Sequence, residues 1–159
     1  MKSSVSREEE LKRIYKLGRH PEGGYFSEAY TAPYSVGERP ISGSIYFLLG
    51  KGGVSRLHEI DCDEIWYYHE GCGMKITALD KDEKKVFLLG MRAELGEAAM
   101  VAIPAGTVFA AENISPDGYT FVSCVTTPKF EQSGFRVVDR DALEKRFPEF
   151  ADECVYLAF

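Results

Sequence analysis

The stretch Arg56-Leu-His-Glu-Ile-Asp-Cys-Asp-Glu-Ile-Trp-Tyr-Tyr-His-Glu-Gly71 decides how the rest of the chain is read. It holds two of the three histidines, several carboxylates and a dense aromatic run. Side chains of a strand point to alternate faces. Alternation therefore places Arg56, His58 and Ile60 on one face. On the following run Glu64, Trp66 and Tyr68 share a face, and Ile65, Tyr67 and His69 share the other. Such residues can hold a metal, act as acid and base, or line a pocket.

The same strand character continues on both sides. GYFSEAYT, ISGSIYFLL, GVSRLHEI, EIWYYHEG, MKITALD, KVFLLGM, AAMVAIPAG, VFAAEN and YTFVSCVTT are short and rich in β-branched and aromatic residues. Gly, Pro, Asp and Asn punctuate them, and Asp80-Lys-Asp-Glu83 reads as a hairpin turn. Many short strands in series predict an antiparallel sandwich or barrel. Helices are expected only at the ends. Ser6-Arg-Glu-Glu9 forms a capping box for a helix over 7–17, whose apolar face is Leu11, Ile14, Tyr15 and Leu17 and whose stop is Gly18. Asp139 caps a second helix through about Arg146, ended by Pro148.

The chain has 159 residues, 45% hydrophobic and 28% charged, enough for one domain with a real core. No linker or repeat interrupts it, so 1–159 reads as a single domain with a core over about 11–147. The net charge of −6 with no basic cluster argues against nucleic acid. No apolar run approaches the roughly 18 residues that span a bilayer. The charged N-terminal stretch is unlike a signal peptide, so the expected compartment is the cytoplasm. Cys62, Cys72, Cys124 and Cys154 contain no CxxC pair and are expected as free thiols.

Two segments carry a resemblance. One is Gly52, His58, Ile60, Glu64 and Gly71 with their spacing; the other is Pro104-Ala-Gly106, Phe109 and Asn113. Together they resemble the two motifs of the cupin superfamily. HPEGGYFSEAY (20–30), SIYFLL (44–49), DEIWYYHEG (63–71) and IPAGTVFAAE (103–112) narrow the likeness to the cupin 5 group, also called domain of unknown function 985. The likeness covers about 11–147. It implies an all-β, RmlC-like double-stranded β-helix, the cupin jelly-roll barrel, with a short helix at each end. It also implies a homodimer. In metal-binding cupins the first motif supplies two histidines and a glutamate, and the second a third histidine. Here His58 and Glu64 match, but Ile60 and Phe109 stand at the other two places.

This pattern sets the expected site. A barrel mouth is a natural small-ligand site. His58 and Glu64 are its expected catalytic pair, hydrogen-bonded to each other or to a ligand, with Tyr67 as an acid. Arg56, Trp66, His69, Phe109, His20, Glu22 and Tyr25 are expected to bind the ligand or line its wall. Cys124 is expected in the core. A mononuclear catalytic metal wants about three protein ligands. The motif offers two, His58 and Glu64, so the expectation is no cofactor, with a divalent metal possible only if a neighbour such as His20 or His69 completes the shell. Three activities follow. One is a metal-independent isomerase or epimerase on a sugar or small polar metabolite, with His58 or His69 as base. The others are a non-catalytic binding or sensing module, and a metal-dependent dioxygenase or isomerase with an unusual shell.

Overall fold

A computed structural model describes residues 4–159. The chain opens with α1 (Arg7–Ile14) and β1 (Gly18–Arg19), β2 (Tyr25–Thr31), β3 (Ser35–Val36), β4 (Arg39–Pro40) and β5 (Gly43–Leu49). Then come β6 (Val54–Glu59), β7 (Asp63–Gly71), β8 (Met74–Asp80) and β9 (Glu83–Leu89). They are followed by β10 (Glu97–Ala98), β11 (Met100–Ile103), β12 (Val108–Asn113), β13 (Thr120–Thr127) and β14 (Arg136–Val137). The chain closes with α2 (Arg140–Arg146) and α3 (Ala151–Cys154). Every expected strand is present. The five two-residue strands, β1, β3, β4, β10 and β14, were too short to leave a periodic signal.

Two six-stranded sheets form the barrel walls. One runs β1-β2-β5-β13-β7-β11 and the other β10-β9-β8-β12-β6-β14; β3 and β4 pair apart. Pairing is antiparallel throughout except for β10 against β9. This is the jelly-roll architecture. The core between the sheets takes Phe47, Trp66, Val101, Ile103, Val122 and Cys124 from the first and Met74, Ile76, Ala78, Leu89, Phe109 and Ala111 from the second.

Both outer faces are partly covered. On β12, Val108 and Ala110 point away from Phe109 and Ala111, yet all four are buried. The reason is the C-terminal segment: Leu143, Phe147, Ala151, Cys154, Leu157 and Ala158 pack over Leu57, Leu79, Val108 and Ala110. A sheet buried on both faces loses polar alternation and reads as a continuous apolar run, as VFAA does. On the first sheet, Leu11 of α1 packs with Leu48 and Phe121, flanked by Tyr15, Leu17, Tyr25 and Tyr46.

The helix termini follow local chemistry. Ser6 Oγ accepts from the Glu9 N–H at 3.2 Å, while the Glu9 carboxylate takes Lys12 Nζ at 2.8 Å. So half of the expected capping box forms. Helix α1 stops at Ile14, short of Leu17 and Gly18, because Lys16 turns left-handed with φ of 53°. Ile14 is therefore exposed, not part of the buried face. Asp139 caps α2 by accepting from the Ala142 N–H at 2.8 Å. All four cysteines are free. Among the described residues, no helix is long and apolar enough to cross a membrane.

A bulge in β6 changes the predicted faces. Phe109 pairs with His58 and Ala111 with Ser55, so three steps on β6 face two on β12. The extra residue breaks the alternation. Ser55 and His58 both turn inward. Arg56 and Leu57 both turn outward, Leu57 under the C-terminal segment and Arg56 with its guanidinium 3.0 Å from the Ala158 carbonyl. The expectation that Arg56 shares the face of His58 is corrected here.

Candidate acid–base pocket in the barrel

His20-Pro-Glu-Gly-Gly24 turns between β1 and β2 and presses on the start of β6. A Cβ at Gly23, whose φ is 111°, would lie 2.0 Å from the Val54 carbonyl oxygen. One at Gly24, with φ of 84°, would lie 2.6 Å from the Phe47 ring. Only glycine fits both conformations and both contacts. The docking is fixed by the Arg56 N–H, which donates to the Glu22 carbonyl at 2.9 Å.

This brings Glu22 to His58. Glu22 Oε2 lies 3.0 Å from His58 Nε2. On the other side of the ring, Nδ1 is 2.6 Å from the Arg56 carbonyl oxygen. A carbonyl only accepts, so Nδ1 carries a proton and Nε2 faces the carboxylate. Both groups are buried. Burial opposes the charge of His58, but the Glu22 carboxylate and the Arg56 carbonyl lift its pKa above the ordinary value. Burial likewise opposes the charge of Glu22, and His58 with help from His20 and Ser55 holds it below the usual carboxylate range. The two form a buried imidazolium–carboxylate pair. His20 Nδ1 accepts from the Glu22 N–H at 3.3 Å and so has no proton there. Its 3.5 Å approach to Glu22 Oε1 is therefore not an ion pair. Burial lowers the pKa of His20.

Glu64 enters from β7, across from Thr126 of β13. It does not pair with His58, contrary to expectation; Glu22 occupies that position. Burial first, and the charge of Glu22 second, push the Glu64 carboxyl up to about 7, with His58 opposing. Two buried donors, Ser55 Oγ and Trp66 Nε1, have no partner at hydrogen-bond distance among the described residues. Each faces a site carboxylate, Ser55 towards Glu22 and Trp66 towards Glu64. The Cys124 thiol beside Glu64 is raised well above its usual value by burial and by the two carboxylates.

These groups line a cavity of about 230 Å³. His20, Glu22, His58, Glu64 and Cys124 hold its buried end; Phe26, Ile45, Ile60, Phe130 and Phe135 form its walls. Glu28, Tyr30, Lys129 and Gln132 stand at the exposed mouth. Cys124 thus faces the cavity as well as the core. Trp66 and Phe109 are almost fully buried beside the cavity, and the Phe109 ring packs 4.4 Å from that of His58.

Four expected site residues lie elsewhere. Tyr67 and His69 project from the outer face of β7, where His69 meets the Ser123 hydroxyl. The reason is strand parity: they alternate with Glu64 and Trp66. Tyr25 packs under α1 with Lys12 Nζ 4.0 Å from its ring centroid. Arg56 serves through its backbone, not its guanidinium. The residues not anticipated include Phe26 and Tyr30 of β2, Ser44 and Ile45 of β5, Thr126 of β13, and Lys129, Phe130, Gln132 and Phe135 on the irregular segment after β13. The two phenylalanines of that segment were its only signal, and they fit no periodic pattern.

The donor set does not fit a mononuclear metal centre. Both nitrogens of His58 are engaged, Ile60 and Phe109 are hydrocarbon, and the Glu64 carboxyl favours its proton far more than an ordinary glutamate. Among the described residues no three His, Cys, Asp or Glu side chains converge for a metal ion.

A jelly-roll barrel with an interior pocket is an architecture that cupins share with other jelly-roll proteins. The chain belongs to the family described as cupin superfamily DUF985, whose model matches residues 9–138. It is 27% identical to uncharacterized protein YML079W of Saccharomyces cerevisiae, over 94% of this chain and 85% of that one. Among solved structures it resembles protein SO0799 of Shewanella oneidensis, with a TM-score of 0.91, 27% identity, and coverage of 98% and 99% of the two chains. A hypothetical protein from Leishmania major gives 0.88, 28%, 98% and 99%.

Proposed function

We propose that this cupin binds a small carbonyl compound in the cavity and moves a proton at the carbon beside the carbonyl, as isomerases do. The observation that supports this is Glu64, a cavity-lining carboxyl pushed up to about 7. A group with such a value both takes and returns a proton near neutral pH. In the step, the Glu64 carboxylate takes the proton from carbon, and the C–H electron pair moves towards the carbonyl oxygen to form an enolate. Glu64 then returns the proton to a neighbouring atom or to the same carbon. The positive charge of His58, fixed by Glu22, lies in the same cavity and favours the developing oxyanion. In this reading His58 is the electrostatic partner and Glu64 the base, where His58 or His69 was the expected base.

The test is deuterium incorporation from D₂O into a panel of small ketones and keto-sugars, followed by NMR. Exchange above the protein-free rate, lost in Glu64→Gln, supports the reading. A ligand that raises the melting temperature and is recovered with no deuterium instead marks a binding or sensing module. We also propose a homodimer through the outer face of β7 and β11. Its support is half-buried Ile65 and Tyr67 beside exposed Met100. Analytical ultracentrifugation tests it, and a monomer at micromolar concentration removes it.

A further inference from the structure

The cavity has a marked order along its depth. Charged groups sit at the buried end, a second charged and polar set stands at the exposed mouth, and between them lies a band of Phe26, Ile45, Ile60, Phe130 and Phe135. We propose that the ligand is a neutral molecule built on one flat ring with a single hydrogen-bonding group directed at Glu64, and not a polyhydroxylated sugar. The proposal rests on the preceding reading for the position of the reacting end, but its evidence is the shape and chemistry of the walls.

Size comes first. An apolar cavity of about 150 Å³ is filled by benzene. At about 230 Å³ this one holds a six-membered ring with one or two small substituents. Two fused rings with substituents exceed it.

The walls decide the chemistry. A sugar ring carries hydroxyls around its whole rim, and each needs a partner when buried. The middle band offers none: its five side chains are hydrocarbon. Two hydroxyls lie elsewhere on the wall, those of Ser44 and Thr126, and the Thr126 oxygen already accepts from the Phe130 N–H at 2.8 Å, so the wall offers fewer partners than a sugar's rim needs. A flat ring meets the same band through its faces, against three phenylalanines.

Charge is settled at both ends. The carboxylate of Glu22 is matched by the imidazolium of His58 at 3.0 Å. At the mouth, Lys129 is held by the Thr31 hydroxyl at 2.7 Å and lies 3.8 Å from Glu28. Neither end has an uncompensated charge that requires an ionic ligand. The groups left for a ligand at the buried end are the Glu64 carboxyl, the Cys124 thiol and the His20 Nε2–H, which together suit one carbonyl or hydroxyl.

The test uses unreactive probes and the full chain. Phenol, p-cresol and benzyl alcohol are titrated by NMR, beside glucose, ribose and benzyltrimethylammonium. The Trp66 indole resonance reports on the cavity. The expected result is saturable binding of the three neutral rings, with the sugars weaker by at least about tenfold, the scale of one badly paired buried hydroxyl. Ile45→Phe, placed in the wall, is expected to abolish probe binding while retaining the wild-type circular dichroism spectrum. Glucose or ribose binding as tightly as phenol overturns the proposal. So does tighter binding of benzyltrimethylammonium than of benzyl alcohol, or no binding by any ring to folded wild-type protein. Ring binding without deuterium exchange on any ketone removes the acid–base reading and leaves this proposal standing.

Discussion

Glu64 holds a proton that an ordinary glutamate has already lost, and this makes stability depend on pH in a definite direction. Its folded value, about 7, lies above the ordinary value of 4.5. The folded state therefore binds the proton more tightly than the unfolded state between those limits. The stabilisation is complete below 4.5 and is lost as the pH rises through about 7, at a cost of about 3 kcal/mol. Glu64→Gln removes that dependence. Its melting temperature is expected to exceed that of the wild type at pH 8, with a flatter profile between pH 5 and 8. The Glu22–His58 pair acts in a different window. The contribution of Glu22 is present above 4.5 and is lost as the pH falls through its lowered folded value. That of His58 is present below 6.5 and is lost as the pH rises through its raised folded value. Both are complete between these two pH values. Glu22→Gln removes the charge that most strongly opposes burial and leaves only the Arg56 carbonyl and Glu64 against it, so the His58 pKa is expected to fall in NMR titration. Loss of one member of a buried pair also costs about 3–5 kcal/mol, measurable by urea unfolding.

Two short elements carry the site, and they differ in how well they show in sequence. The His20–Gly24 turn is visible as a Pro-Gly-Gly cluster, and Glu22 was expected at the pocket rim. Its partnership with His58 was not, because it joins a turn to a strand far along the chain. The β6 bulge left no trace at all. A bulge is a fact of hydrogen-bond register between strands, and Val54–Glu59 reads as an ordinary alternating run. Alternation on β7, which has no bulge between Asp63 and Tyr68, correctly grouped Glu64, Trp66 and Tyr68 on one face, which is the inner one. It equally implied that Tyr67 and His69 face outward. At the turn, Gly23→Ala sets a methyl 2.0 Å from a carbonyl oxygen at a φ of 111°. It is expected to destabilise by about 2 kcal/mol or more and to shift the His58 resonances, as seen by chemical denaturation and NMR. The same alanine at Gly37, where no atom lies within 4 Å of the added Cβ, meets no steric contact; a φ of 62° is its only penalty.

At the scale of the whole molecule, the three layers around the sheets were unequally legible. The barrel core was read from alternation. The motif residues were read from spacing. The last dozen residues, Ala151–Phe159 included, have no place in the sequence reading, since their apolar residues follow neither a clean helical nor a strand period. This segment packs on the chain's own second sheet, where Leu157 is 1% exposed among Leu57, Val108 and Phe147. Leu157→Ala is expected to cost about 2–5 kcal/mol in thermal or urea unfolding, as a buried cavity does. Ordering of this segment also depends on Arg56, whose guanidinium holds the Ala158 carbonyl at 3.0 Å.

Arg56 thus ties two distant parts of the chain, and its near neighbour His58, at one residue. Its N–H holds the turn of Glu22, its carbonyl orients His58, and its side chain holds the last residues. This knot has a kinetic meaning. The ties to Glu22 and Ala158 cannot close until segments far apart in sequence have found one another, and the entropy of those long loops is lost before either contact rewards it. The pocket is therefore a product of the slow, non-local part of folding, and its refolding belongs to the millisecond-to-second range of β-barrels, not the microseconds of helical bundles.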